Sequence, residues 1–133
     1  MNFDYEQFFI HYFIVKNKRE RLQFELFNES RRQSAISRFN HGAIKYIDER
    51  KIIYSGNDIS WSDLKNLIEK NTDEQSCYII SFDEEIDRTM IKVRDLFDRV
   101  IGLGCASIMV FTNMAIIETE QVQGPAMKYV LKL

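Results

Sequence analysis

Two histidines, two cysteines and one dense acidic run are the residues in this 133-residue chain with which chemistry could begin. Histidines and cysteines can hold zinc or form a nucleophile and its base, yet His11, His41, Cys77 and Cys105 show no ligand spacing, so no metal is expected. Asp83-Glu84-Glu85, with Asp87 close behind, is the kind of oxygen-rich loop that can take a divalent cation. Its spacing matches no calcium loop, and a solvated loop with one capping aspartate fits it better. Ser81 lacks the glycine-flanked elbow of a hydrolase nucleophile. Gly102-Leu103-Gly104 follows a helical pattern instead of opening one and lacks the third glycine of a phosphate cradle. No catalytic constellation emerges, and the chain reads as a non-enzyme without a cofactor.

Charge offers a different chemistry. Lys16-Asn17-Lys18-Arg19-Glu20-Arg21 is the most concentrated basic run, and Arg31, Arg32 and Arg38 project from a neighbouring helical pattern. Lys18, Arg19, Arg31, Arg32 and Arg38 are therefore the candidate contacts to nucleic acid, where phosphates would release counterions to them. A sequence pI near 5.7 and the interleaved Glu20, Glu25 and Glu29 weigh against that use. The net charge of −2 hides a split: up to Lys51 ten Lys and Arg face seven Asp and Glu, and beyond it eight face thirteen. The split suggests two differently charged surfaces, although scattered surface charge is the commoner meaning of so modest an excess.

The elements that must position these residues centre on Cys77 to Glu120. Cys77 to Phe82 is a continuously apolar, β-rich run and reads as a strand covered on both faces. Asp87 is placed to cap a helix through Met90, Val93, Phe97 and Val100, with Ile86 and Ile91 as its staple and the two glycines as its stop. Ala106 to Phe111 reads as a second buried strand, turning at Thr112-Asn113 into Ala115 to Glu118. A strand, a crossover helix and two more strands make a β-α-β-β unit, and its sheet is expected to be mixed. If the Cys77 and Cys105 strands were parallel neighbours the thiols could approach one another; reduced thiols are expected.

Upstream, Tyr5, Phe9, Tyr12 and Phe13 share one helical face, a stripe that reads as core packing ahead of a ligand box. Arg21 to Phe27 fits either strand or helix, and helix is favoured because its neighbours look helical. Asn28 opens a helix through Ala35, Ile36 and Phe39 to His41-Gly42, with an uncertain boundary from Ala43 to Arg50. Lys51 to Ser55 reads as a strand, and Ser60 with Asp63 as a capping pair, stapled by Ile59 and Leu64, for a helix through Ile68. Trp61, in its first turn, is expected against the rim of the sheet. Met127 to Leu133 alternates like an edge strand guarded by lysines. The fold expected is α+β: one domain, residues 1–133, with a mostly helical half over 1–50 packed on a small mixed sheet in 51–133. No apolar run reaches bilayer length and the start lacks the marks of an export signal, so a soluble, cytoplasmic protein is expected.

KRERLQFELFNESRRQSAISRFNH and CYIISFDEEIDRTMIKVRDLFDRVIGLGCASIMVF with the following AIIETE resemble small single-domain bacterial proteins of unassigned function. In size, acidic second half and lack of catalytic motifs the chain is similar to immunity proteins of contact-dependent and polymorphic toxin systems. That resemblance implies a protein partner, a cognate toxin domain, met by a pre-formed surface that complements a basic target. The residues it points to are Asp83, Glu84 and Glu85 with Glu118 and Glu120, provided that they lie at one end of the sheet. An RNA- or DNA-associated accessory protein is the alternative, and a small-molecule sensor with an aromatic pocket is a third reading.

Overall fold

Aromatic side chains at helical spacing begin the fold. The computed structural model describes residues 3–121 and 124–133. Helix α1, Tyr5–Phe13, is capped by Asp4, whose side chain accepts the Gln7 amide, and it turns Phe9 and Phe13 fully inward. Tyr12, expected on that face, is exposed instead. The basic run opens α2, Lys16–Leu26, which resolves the Arg21 to Phe27 ambiguity as helix, with Leu22 and Leu26 buried one turn apart. Asn28 makes a turn instead of a helix start: its Oδ1 accepts the Ser30 amide at 3.1 Å, and α3 begins later, at Arg32–His41. After Gly42 a short α4, Ala43–Tyr46, leads to Ile47, which bridges back to Ile14.

The remaining elements are β1 Ile52–Gly56, α5 Trp61–Asn71, β2 Ser76–Ser81, β3 Met90–Lys92, α6 Leu96–Arg99, β4 Ser107–Val110, β5 Met114–Glu118 and β6 Lys128–Lys132. Helix α5 starts as the capping pair predicts: the Ser60 hydroxyl accepts the Asp63 amide at 3.0 Å. Among the described residues the sheet has six strands, ordered β1-β6-β5-β4-β2-β3.

The α+β class holds, but three expectations within it do not. Every neighbouring pair is antiparallel, so the sheet is not mixed. No crossover helix starts at Asp87; the chain instead folds back as β3, pairing Cys77 with Ile91 and Tyr78 with Met90, so the β-α-β-β unit does not form. β6 is not an edge, since it lies between β1 and β5. Because β2 and β4 run antiparallel, Cys77 and Cys105 sit at opposite ends of that pair, both as free thiols.

Both faces of the sheet are covered. Side chains alternate along each strand, so Ile80, Ile108, Val110, Ala115, Ile117 and Leu131 pack against α1 to α4. Ile79, Met109, Met114, Ile116 and Val130 pack on the other face against Leu64 and Ile68 of α5 and Leu96 of α6. This three-layer arrangement explains why β5 is buried at every position.

Candidate functional site

Acids do converge at one place inside the molecule, and the chemistry there is spent on packing. Arg32, 4% exposed, donates through Nη1 and Nη2 to Glu6 at 2.7 Å each, through Nε and Nη2 to Asp87 at 2.7 and 2.9 Å, and through Nη1 to the Leu26 carbonyl at 3.0 Å. All five guanidinium donors are thereby satisfied. The Tyr78 hydroxyl donates to Glu6 at 2.6 Å, and the Ser81 amide to Asp87 at 2.9 Å. Burial opposes the charge on Arg32, but the hydrogen bonds of Asp87 and Glu6 hold its pKa above the ordinary value. Burial, then the bond to Glu6, raises that of Tyr78, which stays a neutral donor. The network ties α1, α3 and the β2–β3 loop together.

Arg32 is therefore withdrawn from the basic face assigned to it, and the rest of that set is occupied locally. Arg38 grips both oxygens of Glu25 at 2.9 and 2.8 Å. The Arg19 Nε donates to the Ile14 carbonyl at 2.8 Å, the Arg31 guanidinium lies 5.7 Å from the centre of the Phe24 ring, and the Lys18 ammonium 5.5 Å from that of Tyr46. Of these groups Arg19 lines a shallow groove of about 770 Å³ along α2, together with Lys16, Glu20, Gln23, Phe24 and Phe27.

The acidic set does share one end of the sheet. Ser81, which ends β2, pairs with Ser107, which begins β4, and Ser107 pairs with Glu118, which ends β5. The two serine hydroxyls meet at 2.8 Å, and the Phe82 amide reaches the Ala106 carbonyl at 3.0 Å. Asp83 then organises its own loop: its side chain accepts the Glu85 amide, and its carbonyl accepts those of Ile86 and Asp87. Glu84 and Glu85 are left exposed, as is Glu120, which stands 3.5 Å from His41.

Glu118 is the exception. It is 0% exposed, its carboxylate accepts the Gly102 amide at 3.0 and 3.1 Å, and Lys128 lies 3.4 Å away. Burial raises its pKa against the pull of Gly102 and Lys128. A carboxylate so enclosed joins β5 to the chain after α6 and cannot meet a partner. Gly102, at φ +83°, holds the close approach open, since a Cβ there would lie 3.1 Å from the Trp61 ring. Trp61 itself is exposed; it leans on Phe97 at 5.4 Å and lines a hollow with the strand-end residues Glu118 and Lys128.

Between the acidic groups lie two apolar side chains that the sequence reading passed over. Phe82 is 43% exposed and Leu103 59% exposed, and both line a hollow of about 140 Å³ with Ser37, Gly104, Cys105 and Glu120. The apolar pattern makes Phe82 the last residue of a buried strand, whereas the strand ends one residue earlier. For Leu103 a signal existed: a large apolar residue between two glycines at φ +83° and +80° sits on a loop tip with nothing to cover it.

The remaining reactive groups are the two thiols and the two histidines. Burial pushes the Cys77 thiol up to about 12, and burial also raises that of Cys105, reinforced by the negative field of Asp83 and Glu120. His11 is on the outer side of α1 against Tyr12, while His41 is at the end of α3. Among the described residues no three His, Cys, Asp or Glu side chains gather where a metal could be held, and no helix is long and apolar enough to cross a membrane. Comparison with protein-family models, with curated proteins and with solved structures finds no match.

Proposed function

We propose that this chain is a non-enzymatic binding protein that recognises a basic protein surface, most concretely an immunity protein that neutralises a cognate bacterial toxin domain in the cytoplasm. One observation carries the reading. Phe82 and Leu103 are exposed at the same end of the sheet as Asp83, Glu84, Glu85 and Glu120, and Glu120 lines their hollow. An apolar centre with a charged rim is the anatomy of a protein interface, where a few large side chains carry the affinity and the rim charges speed encounter. The Arg32 network and the Ser81–Ser107 bond support the reading too, because they hold the loop in place before a partner arrives.

The test is binding to a basic toxin domain, a candidate being any encoded beside this chain, measured by surface plasmon resonance at two salt concentrations. Phe82→Ala is expected to weaken the complex at least about tenfold. Glu84→Lys with Glu85→Lys is expected to slow association and flatten its salt dependence. Unchanged affinity in both variants removes this surface from the proposal.

A second reading has its own observation. Phe24 and Phe27 are exposed along α2 beside Lys16, Arg19 and Arg31, the combination of stacking platform and basic rim that single-stranded RNA uses. Binding of random-sequence RNA that falls steeply with salt and is lost in Phe24→Ala would favour it over the first.

A further inference from the structure

The chain after β1 brings its one tryptophan to the acidic end of the sheet. Lys128, which begins β6, pairs with Glu118 at the end of β5 and with Gly56 at the end of β1. The Gly56-Asn57-Asp58 turn therefore lies at the same end as Ser81 and Ser107. Trp61 opens α5 just beyond that turn and is 53% exposed. It lines a hollow of about 420 Å³ with Asn57, Asp58, Gly102, Gln121 and Lys128, among others. The segment 102–104 stands between this hollow and the one at Phe82: Gly102 lines the first, Leu103 and Gly104 the second. Gln121 and Glu120 divide in the same way, and the Gln121 amide donates to the Gly104 carbonyl at 3.3 Å. The two hollows thus flank one loop, from which Leu103 projects.

Trp61 is held before any partner arrives. Ser60 caps the helix turn that carries it, the Phe97 ring lies 5.4 Å away, and a Cβ on Gly102 would stand 3.1 Å from the indole. Gly102 is fixed in turn by the buried Glu118 carboxylate, which accepts its amide at 3.0 and 3.1 Å. An indole so placed has little freedom to lose when it is covered, and tryptophan is enriched among the residues that dominate binding. The charge of the lining says what covers it. The one cation among its described residues, Lys128, is buried and faces Glu118 at 3.4 Å, so an anionic ligand finds no uncommitted charge there. Asp58 accepts the neutral Tyr54 hydroxyl at 3.1 Å and keeps its own charge at the exposed rim, where it attracts a basic surface. Extent points the same way. A stable complex buries about 800 Å² on each partner, more than Phe82 and Leu103 supply, and the exposed indole continues the apolar area at the same end.

We infer that the basic partner spans the 102–104 loop and covers Trp61 as a second anchor beside Phe82 and Leu103, with a basic side chain of its own against Asp58. The inference rests on the interface reading above and extends that surface across the loop.

The probe is the basic toxin domain of the binding test, titrated into the full chain made with fluorotryptophan. Trp61 is the only tryptophan, so the fluorine-19 spectrum holds one resonance and reads this site alone. Binding is expected to move that resonance and to shrink its difference between light and heavy water, the mark of an indole withdrawn from solvent. Trp61→Ala, checked by thermal unfolding, is expected to weaken the complex at least about tenfold, and Asp58→Lys to slow association. The fluorine measurement needs no substitution and decides even where the alanine variant fails to fold. A resonance that keeps its full solvent difference at saturation, or undiminished affinity in Trp61→Ala, removes Trp61 and leaves the interface standing wherever Phe82→Ala weakens the complex. Affinity lost in Trp61→Ala but not in Phe82→Ala overturns the shared surface. If neither substitution weakens the complex, or no complex forms, both readings fall.

Discussion

Arg32 sets the rules at the residue scale. A buried guanidinium shared between two carboxylates is stabilising only while every partner remains, because removing one leaves uncompensated charge inside the protein. Arg32→Ala is expected to lower the unfolding free energy by about 3–5 kcal/mol in urea titration. Arg32→Lys should recover little of it, since an ammonium cannot reproduce bonds to Glu6, Asp87 and the Leu26 carbonyl together. Cys77 gives the clearest dependence on pH. The folded thiol holds its proton to about 12 against an ordinary 9.0, so unfolding releases a proton between those values. Stability therefore falls as pH rises through that window, by up to about 1.4 kcal/mol per pH unit for this group. Cys77→Ala should flatten the alkaline limb of a stability-against-pH curve, and Cys77 should resist thiol reagents at pH 8 until the chain unfolds.

At the scale of elements, the segment from Asp87 to Val100 is where pattern and fold part company. Met90, Val93, Phe97 and Val100 fit a helical period, yet Met90–Lys92 also fits a strand with Ile91 inward, and that is the form observed. The deciding interaction is remote in sequence: Asp87, a plausible cap, is held by Arg32 and by the Ser81 amide. Arg88 then takes φ +64° and pairs with Glu29, committing the chain to a reversal. Asp87→Asn separates the two roles by measurement. A helix cap would tolerate asparagine at a cost of a few tenths of a kcal/mol, whereas loss of a charge facing buried Arg32 is expected to cost about 3 kcal/mol. Where the signals were local, they were legible. Ser60, Asp63, Ile59 and Leu64 announce α5, and Thr112-Asn113 marks the β4–β5 turn. Of the acidic candidates, Asp83, Glu84, Glu85 and Glu120 stand at the surface; Glu118 does not, because its burial depends on a Gly102 amide sixteen residues away.

On the scale of the whole molecule, layering explains the last strand. Lys128 and Lys132 at the two ends of β6 look like edge protection. In place, Lys128 neutralises buried Glu118, and the Lys132 ammonium donates to Asn71 at 2.9 Å, so a central strand carries charge at its ends only. Strand order is set by which faces the helices cover, and no local pattern records it. Removing residues 127–133 would separate β1 from β5, and is expected to abolish cooperative unfolding, not merely lower the midpoint. The same three layers leave the Phe82 and Leu103 end uncovered, and on that end the functional proposal stands or falls. Hydrogen exchange of the chain with and without the basic toxin domain used in the binding test reads this most directly. Protection gained at 82–87, 102–106 and 118–121 is the result predicted, and protection confined to Lys16–Phe27 on α2, with none at the acidic end, would contradict it.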